Sequence, residues 1–510
     1  MVTKFFLVCC LLSVVVAAAD KKNVVFVLVD DQDLLLGSLA CLNKTRSLLI
    51  DQGAYFTNAF VATPICCPSR ATIQTGRYMH NTKVYDNGCG GTEWQEGPEK
   101  LNVAHFANSN GYKTFYAGKY LNNYGTKPVG GVEHIPPGWT RWFGLVGNSK
   151  YYDYDVSNNG TLEHHGSNYA TDYFTDYIKN KSISFIKETA GEPFFVMLGS
   201  PAPHVPNIFA PQYANKYLGI KAPRTPSWNK APNPDKHWLL REVGPMDEAQ
   251  IKNSDLTYAD RWRALQSVDD MVAEIVHTLE ELGILDDTYI IYSSDHGFHL
   301  GEFGMGFDKR QLYETDIRVP LLARGPGIKP GMKIDNMVVS VDWAPTILDM
   351  MGIAKPDIMD GRSWLPVAHG NAPSVWRDEI MVEYNGPQVD EYGILPADPN
   401  RATPSCPGAL LPGVMCCGGE HGEAPCDAKN NTYACVRKLS PSENSIYCKF
   451  NDDQEFVEYY DINKDPWALQ NAVNTSSPAH MEERFKRLKE FFDCSGNDCF
   501  IPPAQSVKIH

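Results

Sequence analysis

Short apolar segments that end abruptly in polar or glycine residues constrain the fold of this chain more than any other feature. Three of them span residues 24–29, 194–198 and 289–292, and they are followed by Asp30, Gly199 and Ser293. They are rich in Val, Ile, Phe and Tyr with weak alternation, which is typical of strands covered on both faces. The sequence therefore predicts a mostly parallel sheet flanked by helices.

Between the second and third segments, apolar residues recur at helical spacing. They are Leu265, Val268, Met271, Val272, Ile275, Leu279 and Leu282, and Gly283 follows as a stop signal. Strands that alternate with helices predict a doubly wound α/β domain. Ligands of such sheets bind beyond the carboxyl ends of the strands, so we expect Asp30, Asp31, Asp295 and His296 to share one site.

The pattern changes near residue 375. There the alternation gives way to a predicted strand over residues 378–384, and then to a stretch rich in Pro, Gly and Cys over residues 386–426. We therefore divide the chain into a large catalytic domain, residues 20–375, and a smaller cysteine-rich C-terminal subdomain, residues 376–510.

The amino terminus has the pattern of a signal peptide, residues 1–19. Lys4 precedes an apolar run over residues 5–16, and three small residues, Ala17, Ala18 and Ala19, follow. The alternative is a membrane anchor, but spanning a bilayer takes roughly 20 apolar residues and this run is shorter. We expect a mature chain without an anchor, which enters the secretory pathway and is lysosomal or secreted.

Cysteine usage indicates an oxidising compartment. Of fourteen cysteines, two leave with the signal peptide and eight lie between Cys406 and Cys499, which predicts several disulfides in the last hundred residues. If Cys66 is set aside, an odd number is left, so at least one thiol stays unpaired. Glycosylation sequons begin at Asn43, Asn159, Asn180, Asn430 and Asn474.

The charge balance excludes general nucleic-acid binding. The formal net charge is -15 at pH 7, so the chain as a whole repels polyanions. An anionic substrate therefore has to be met by a local cluster of cations.

The most informative motif spans residues 66–77 and reads CCPSRATIQTGR. It resembles the signature of the sulfatase family, in which Cys-x-Pro-Ser-Arg is followed by Thr-Gly-Arg, although Gln74 stands where Leu is commoner. The resemblance implies that a formylglycine-generating enzyme oxidises Cys66 to formylglycine. The alternative is that Cys66 and Cys67 are disulfide-bonded or buried core cysteines, which is the favoured interpretation only for Cys67.

Formylglycine suits the cleavage of sulfate esters because its hydrate carries two hydroxyl groups on one carbon. One attacks sulfur, and the other loses its proton once the alcohol has left and expels sulfate, which restores the aldehyde. An unmodified Cys or Ser would stay sulfated. The modification is therefore a condition of turnover.

Adjacent carboxylates after the first strand indicate a cation site. Asp30 and Asp31 would repel each other when buried unless a cation neutralised them, whereas the alternative is a solvated turn. The resemblance implies one divalent metal ion, in the first place Ca²⁺, with Asp30, Asp31, Cys66, Asp295 and His296 around it. Many sulfatases have Asn in place of His296, so this side chain is either an unusual nitrogen ligand or a hydrogen-bonded histidine at the border of the site.

Four cationic residues complete the site that the resemblance implies: Arg70, Lys119, His204 and Lys309. In the family the arginine steadies formylglycine, the lysines hold sulfate oxygens, and the histidine or the second lysine protonates the leaving alcohol. Outside such motifs a lysine is more often a solvated surface residue. One departure is Leu121, where many sulfatases have His, and the adjacent Asn122 is a candidate to replace its hydrogen bond.

The resemblance extends over nearly the whole mature chain, to the sulfatases that act on 6-sulfated N-acetylglucosamine. The matching stretches are GKYLNNYG, EHIPPGW, NSKYYDY, KHWLLR, DKRQLYETDIRVPLLARGPGIKP and NNTYACVRKLS. It implies an alkaline-phosphatase-like α/β domain with a smaller C-terminal α+β domain that contains a short antiparallel sheet. The implied substrate is the 6-O-sulfate of N-acetylglucosamine in heparan or keratan sulfate, cleaved at a chain end.

Three alternative functions are weighed against this interpretation. The nearest is an arylsulfatase of broader specificity, since algal and fungal arylsulfatases share much of the pattern. A phosphohydrolase of the alkaline-phosphatase superfamily would have Ser or Thr at position 66, and a catalytically silent glycan-binding protein would have lost Cys66, Arg70 or a metal carboxylate. Several aromatic residues could line a sugar site, although core packing is the commoner role of such residues: Trp139, Trp142, Trp228, Trp238, Tyr151, Tyr152 and Tyr154.

Overall fold

A computed structural model describes residues 21–231, 233–386, 414–417, 424–428 and 431–500. The strands within these ranges are β1 (Asn23–Val29), β2 (Ala54–Phe56), β3 (Ala59–Phe60), β4 (Lys113–Gly118), β5 (Arg141–Leu145), β6 (Tyr154–Asn158), β7 (Thr161–His165), β8 (Phe194–Gly199), β9 (Thr288–Ser294), β10 (His299–Leu300), β11 (Phe307–Asp308), β12 (Leu321–Arg324), β13 (Met332–Ile334), β14 (Val338–Val339), β15 (Glu379–Tyr384), β16 (Val414–Cys417), β17 (Ala424–Ala428), β18 (Tyr433–Leu439), β19 (Asn444–Phe450) and β20 (Val457–Asp461). The helices are α1 (Asn43–Thr45), α2 (Cys66–Thr75), α3 (Met79–Thr82), α4 (Thr92–Glu96), α5 (Val103–Ser109), α6 (Tyr169–Asp172), α7 (Phe174–Thr189), α8 (Trp238–Arg241), α9 (Glu248–Glu281), α10 (Glu314–Ile317), α11 (Trp343–Met350), α12 (Leu365–Ala368) and α13 (Pro478–Phe492).

A central sheet organises the larger part of the described chain. Its strand order is β13-β2-β12-β9-β1-β8-β4-β5-β6-β7. The strands from β9 to β5 in this order run parallel, and antiparallel pairs occur towards both edges. Every residue of β1, β8 and β9 is buried, because helices and loops cover both faces of the sheet. These three strands are the ones that the apolar segments predict.

The long helix α9 covers one face of the sheet and begins earlier than the apolar pattern indicates. Asp247 and Gln250 form a capping box at its amino terminus. Its first half is held by polar contacts, since the hydroxyl of Tyr258 donates to the carbonyl of Leu36 and Arg261 donates to the carbonyl of Asp31. Tertiary contacts therefore extend the helix beyond the segment that its hydrophobic spacing predicts.

A second, four-stranded antiparallel sheet follows in the order β15-β18-β19-β20, and α13 packs against it. The buried carboxylate of Glu379, in β15, holds this helix in place, because Arg484 and Arg487 of α13 both donate to it. The predicted fold class is confirmed: a large α/β part with a mostly parallel core accompanies a smaller antiparallel sheet. The domain boundary at residue 375 stays a prediction.

Among the cysteines whose side chains the structure describes, three disulfides are present. Cys67 pairs with Cys89, Cys435 with Cys448, and Cys494 with Cys499. Cys41 and Cys66 are free and buried, which agrees with the expectation of an unpaired thiol. The pairing of Cys67 matches the interpretation favoured for it.

Some predictions fall outside the described residues. The signal peptide does, and so does most of the stretch over residues 386–426. Of the sequon asparagines, Asn43, Asn159, Asn180 and Asn474 are exposed, and Asn430 is not described. Among the described helices, none combines the length and the apolar character needed to cross a membrane.

Candidate active site

The carboxyl ends of β1 and β9 bring four predicted site residues together. These neighbouring strands pair in parallel register, with Val29 opposite Ser294, so the residues after them meet at one edge. The amide of Asp31 donates to Oδ1 of Asp295 at 3.1 Å, and Nε2 of His296 lies 3.3 Å from Oδ1 of Asp31. All of these side chains are inaccessible to solvent.

Helix α2 contributes Cys66 and Arg70 from its first two turns. Cys66 is the first helical residue, and its Sγ lies 3.8 Å from Oδ1 of Asp30 and 3.4 Å from Nε2 of His296. Arg70 lies four residues later on the same helix face. Its Nε donates to Oδ2 of Asp295 at 2.7 Å. The helix amino terminus adds a partial positive charge beside Cys66.

Two lysines and a histidine reach the same cluster from three separate loops. The Nζ of Lys119, which follows β4, lies 2.7 Å from Oδ2 of Asp30. The Nζ of Lys309, which follows β11, lies 3.1 Å from Oδ1 of Asp31. His204 follows β8, and its Nδ1 donates to the carbonyl of Val205 at 2.5 Å. The other ring nitrogen, Nε2, is therefore the one that can interact with the cluster.

Burial and opposite charges set the protonation of these groups. Burial alone would raise the pKa of Asp30, but Lys119, His204 and Arg70 lower it well below its ordinary value. The pKa of Cys66 is likewise lowered, because Lys119 and Lys309 outweigh the effect of burial. Burial also raises the pKa of Asp295. The nearby cations thus favour the ionised forms of Asp30 and Cys66 in a dry environment, whereas burial opposes that of Asp295.

The donor atoms fit a divalent cation. One ligand atom each from Asp30, Asp31, Cys66 and His204 lie within 4.8 Å of one another, and the same holds for Asp30, Cys66, Asp295 and His296. Oδ1 of Asp31 is buried and accepts no hydrogen bond of good geometry from the described residues. The Nζ of Lys309 at 3.1 Å and Nε2 of His296 at 3.3 Å face this oxygen without a bond of good geometry, so it keeps a lone pair that a hard cation can take.

His296 fits a site of this kind through its tautomer. Its Nδ1 lies 2.9 Å from the carbonyl of Gly297 and must donate to it, which directs Nε2 towards Cys66 and Asp31. Burial lowers its pKa, but Asp295 and Cys66 raise it above the ordinary value. A cation bound here has to displace a proton from this nitrogen.

All nine predicted site residues therefore lie in one buried cluster, and their chemical roles stay predictions. Sequence reasoning missed Ser149, whose hydroxyl donates to Oδ2 of Asp30 at 2.6 Å. It lies in a loop without periodicity, and only its place in the NSKYYDY stretch could have indicated it. The backbone amide of Asn122 donates to the sulfur of Cys67, and the suggested role of the Asn122 side chain stays a prediction.

The aromatic residues considered for a sugar site divide into two groups. Trp139, Trp142, Tyr151 and Tyr154 are buried in the core, as the commoner role predicts. Trp228, Trp238 and Tyr152 are partly exposed, and Trp228 stacks under the guanidinium of Arg224 at 3.8 Å.

Comparison with known proteins adds three findings. The family model described as Sulfatase matches residues 22–353. Among curated proteins, N-acetylglucosamine-6-sulfatase from Capra hircus is 43% identical over 489 residues, with coverage of 94% of this chain and 85% of that protein. The protein of the same name from Homo sapiens is also 43% identical over 489 residues, with 94% and 86% coverage.

Among solved structures, one is a complex with its substrate D-glucosamine-2-N,6-O-disulfate. It matches with a TM-score of 0.73 and 22% identity, over 92% of this chain and 97% of the other. At this identity the similarity supports the fold alone.

Proposed function

The chain belongs to the sulfatase family and is a sulfuric ester hydrolase, and from this premise we propose that it removes the 6-O-sulfate of N-acetylglucosamine residues in heparan or keratan sulfate. One observation carries the catalytic part of the proposal: Cys66, three carboxylates and the cations that oppose them share one buried cluster. The substrate rests on the 43% identity, over 94% of the chain, to proteins named N-acetylglucosamine-6-sulfatase.

Residue 66 is the proposed nucleophile after its oxidation to formylglycine. When hydrated, that group supplies one hydroxyl for attack on sulfur and a second whose deprotonation expels sulfate. The first turn of α2 places the side chain against Asp30 and His296. Arg70 steadies it from the same helix face, because its guanidinium is fixed by Asp295 and by the carbonyl of Lys119.

A divalent metal ion is proposed at the oxygen-rich side of residue 66. Asp30, Asp31, Asp295 and His296 would hold it, and when bound it supplies positive charge that polarises sulfate oxygens and acidifies a hydroxyl. Three carboxylates favour Ca²⁺, whose preferred ligand is oxygen. The nitrogen of His296 is the ligand that departs from this preference.

Lys119 and Lys309 are the proposed sulfate-binding residues. Both are buried and ion-paired, Lys119 with Asp30 and Lys309 with Asp31 and Asp308, so both ammonium groups are held in place before substrate arrives. Fixed cations in a dry site stabilise the charge that develops on the ester oxygens in the transition state.

His204 is the proposed acid for the leaving alcohol. Burial lowers its pKa, but Asp31 and Asp30 raise it above the ordinary value. The imidazole therefore keeps its proton at mildly acidic pH, and Nε2 is the atom from which it can be given to the departing sugar oxygen.

A lysosomal or secreted location and action at chain ends complete the proposal. The acidic net charge of -15 supports action on single terminal residues, since a long sulfated chain would be repelled outside the cationic site. Besides the glycan, the one partner that we propose is a formylglycine-generating enzyme during maturation.

The test is a comparison of esters at matched concentrations. Wild-type enzyme should release sulfate faster from N-acetylglucosamine 6-sulfate than from 4-nitrophenyl sulfate, and faster than it releases phosphate from N-acetylglucosamine 6-phosphate. The Cys66→Ala variant serves as the blank. Faster turnover of the aryl ester would instead support the arylsulfatase alternative, and faster release of phosphate would support a phosphohydrolase.

A further inference from the structure

The loop that carries Lys309 is held by residues from the C-terminal part of the chain, more than a hundred positions downstream. Lys309 follows the short strand β11, which pairs only with β10 among the described strands. A two-residue hairpin offers little rigidity of its own. The position of the Lys309 ammonium group therefore depends on what fixes the next residue, Arg310.

Arg310 is fixed through its backbone on two sides. Its φ of 88° lies in the left-handed region, which a residue with a side chain adopts only where its surroundings hold it. Its amide donates to the carbonyl of Pro64 at 3.0 Å, in the segment just before Cys66. Its carbonyl accepts from the hydroxyl of Tyr433, in β18, at 3.0 Å.

The guanidinium of Arg310 bridges two carboxylates. Its Nε donates to Asp308 at 2.8 Å, and its Nη1 donates to Asp427, in β17, at 3.2 Å. Oδ1 of Asp308 in turn lies 3.6 Å from the Nζ of Lys309. A continuous series of charged contacts thus runs from the C-terminal part of the chain to the candidate active site.

Asp427 is itself fully buried and held from several directions. It accepts from the hydroxyl of Tyr384 at 2.5 Å, from Nδ2 of Asn431 at 3.0 Å and from the amide of Ala428 at 2.9 Å. A carboxylate with this many donors has one orientation, so it can orient the arginine that it binds.

We infer that Asp427 and Tyr433 are positioning residues for Lys309: by holding Arg310 in its left-handed conformation they direct the ammonium group of Lys309 towards Asp31 and the sulfate site. Neither residue touches the reacting atoms. The inference rests on the role proposed above for Lys309, and it assigns to the C-terminal part of the chain a role in catalysis beyond stability.

A double-mutant cycle on kcat/KM tests this coupling. Asp427→Asn should lower kcat/KM by about 10- to 100-fold, the scale of a small misplacement of a catalytic group. In a Lys309→Ala background the same change should cost less than about 3-fold, because the group that it positions is gone. Tyr433→Phe removes a single hydroxyl. It should lower kcat/KM less than Asp427→Asn does, and again mainly when Lys309 is present. This variant keeps the test decisive if Asp427→Asn folds poorly.

The matched control is Glu379→Gln. Glu379 is also a buried, ion-paired carboxylate of the C-terminal part, but its partners are Lys438, Arg484 and Arg487. It should reduce thermal stability and leave kcat/KM of the folded enzyme unchanged. Hydrogen exchange of the peptide over residues 307–313 supplies a readout independent of turnover: it should accelerate in Asp427→Asn and stay unchanged in Glu379→Gln.

Equal losses in both backgrounds, or unchanged exchange of residues 307–313, would overturn the inference, since Asp427 would then act on the substrate or on global stability. The cycle is run on both N-acetylglucosamine 6-sulfate and 4-nitrophenyl sulfate. The proposed substrate fails if the aryl ester is turned over faster. The positioning role fails if the losses caused by Asp427→Asn and Lys309→Ala are additive on either ester, so the two failures are distinguishable.

Discussion

The Nζ of Lys119 lies 2.7 Å from Oδ2 of Asp30, and neither side chain has any solvent exposure. Arg70, Lys119 and Lys309 thus oppose the three carboxylates of the cluster. Removing Lys119 would leave Asp30 with only Arg70, whose Nη2 lies 3.5 Å from its Oδ1, and a bound metal ion to offset its charge.

Lys119→Met should therefore make stability depend more strongly on divalent cations. Losing one partner of a buried pair costs about 3–5 kcal/mol, and a bound cation offsets that loss. The fall in Tm on adding a chelator should be larger for the variant than for wild type, as measured by calorimetry. Lys44→Met, which breaks an exposed pair with Asp270, is the control and should respond like wild type. Equal shifts for Lys119→Met and wild type would contradict the assignment of Asp30 as a metal ligand.

Calcium should restore the chelated enzyme better than magnesium. Three carboxylates with positively charged side chains packed around them suit the flexible coordination of Ca²⁺, whereas Mg²⁺ demands near-octahedral geometry and retains water. The recovery is measured as Tm and as turnover after the chelated enzyme has been dialysed against each ion. Full recovery with Zn²⁺ but not with Ca²⁺ would indicate that the nitrogen of His296 decides the metal.

Cys66 should be found as formylglycine in active enzyme. A peptide that spans it should be lighter than the cysteine form by about 18 Da, whereas Cys41, which is also a free and buried thiol, should keep its unmodified mass. Cys66→Ser should fold normally and turn over no substrate, because a single hydroxyl cannot expel sulfate. An intact Cys66 thiol in fully active protein would remove the proposed mechanism.

The His80–Glu383 contact should contribute more stability in mild acid than at neutral pH. Nδ1 of His80 lies 3.0 Å from Glu383 and Nε2 lies 3.1 Å from the carbonyl of Cys494, so only the imidazolium can donate to both. Burial lowers the pKa of His80, but Glu383 raises it above 6.5. Because the pKa of His80 is higher in the folded than in the unfolded state, the contact contributes its full stabilisation below about pH 6.5. That stabilisation is lost as pH rises through the pKa of folded His80.

Thermal melts between about pH 5 and about pH 8 measure this contribution. The fall in Tm over that range should be smaller for His80→Gln than for wild type. His277→Gln, an exposed histidine of α9, should keep the wild-type slope. An unchanged slope in His80→Gln would show that other groups carry the dependence.

The Cys67–Cys89 disulfide should contribute more stability than Cys494–Cys499. The first closes a sequence separation of 22 and the second a separation of 5, so loop entropy predicts about 3 and about 2 kcal/mol. Chemical denaturation of Cys67→Ala/Cys89→Ala and Cys494→Ala/Cys499→Ala gives the comparison. The reverse order would mean that native contacts around residue 494 outweigh chain entropy.

Sequence alone was sufficient for the parts of this fold that depend on strong local patterns. The apolar runs predicted β1, β8 and β9 to within one or two residues, and the strand-end rule placed Asp30 and Asp295 together. The resemblance supplied Cys66, Arg70, Lys119, His204 and Lys309, which no spacing rule would have connected.

Other features depend on contacts that are distant in sequence and so leave no local pattern. The first half of α9 has few apolar residues at helical spacing, because its side chains bond to loops near Leu36 and Asp31. Ser149 and Asp427 reach their partners only when the loop around residue 149 and the C-terminal strand β17 pack against the rest of the chain. Neither could be found from periodicity.

The complete enclosure of Cys66 has a consequence for biosynthesis. The groups that bury it include Asp295, His296 and Lys309, which leave the ribosome long after residue 66. Any enzyme that is to oxidise this thiol has to reach it while the downstream strands are still unassembled, so conversion and folding compete in time. Conditions that hasten folding should then yield native but unconverted protein, correctly shaped and permanently inactive.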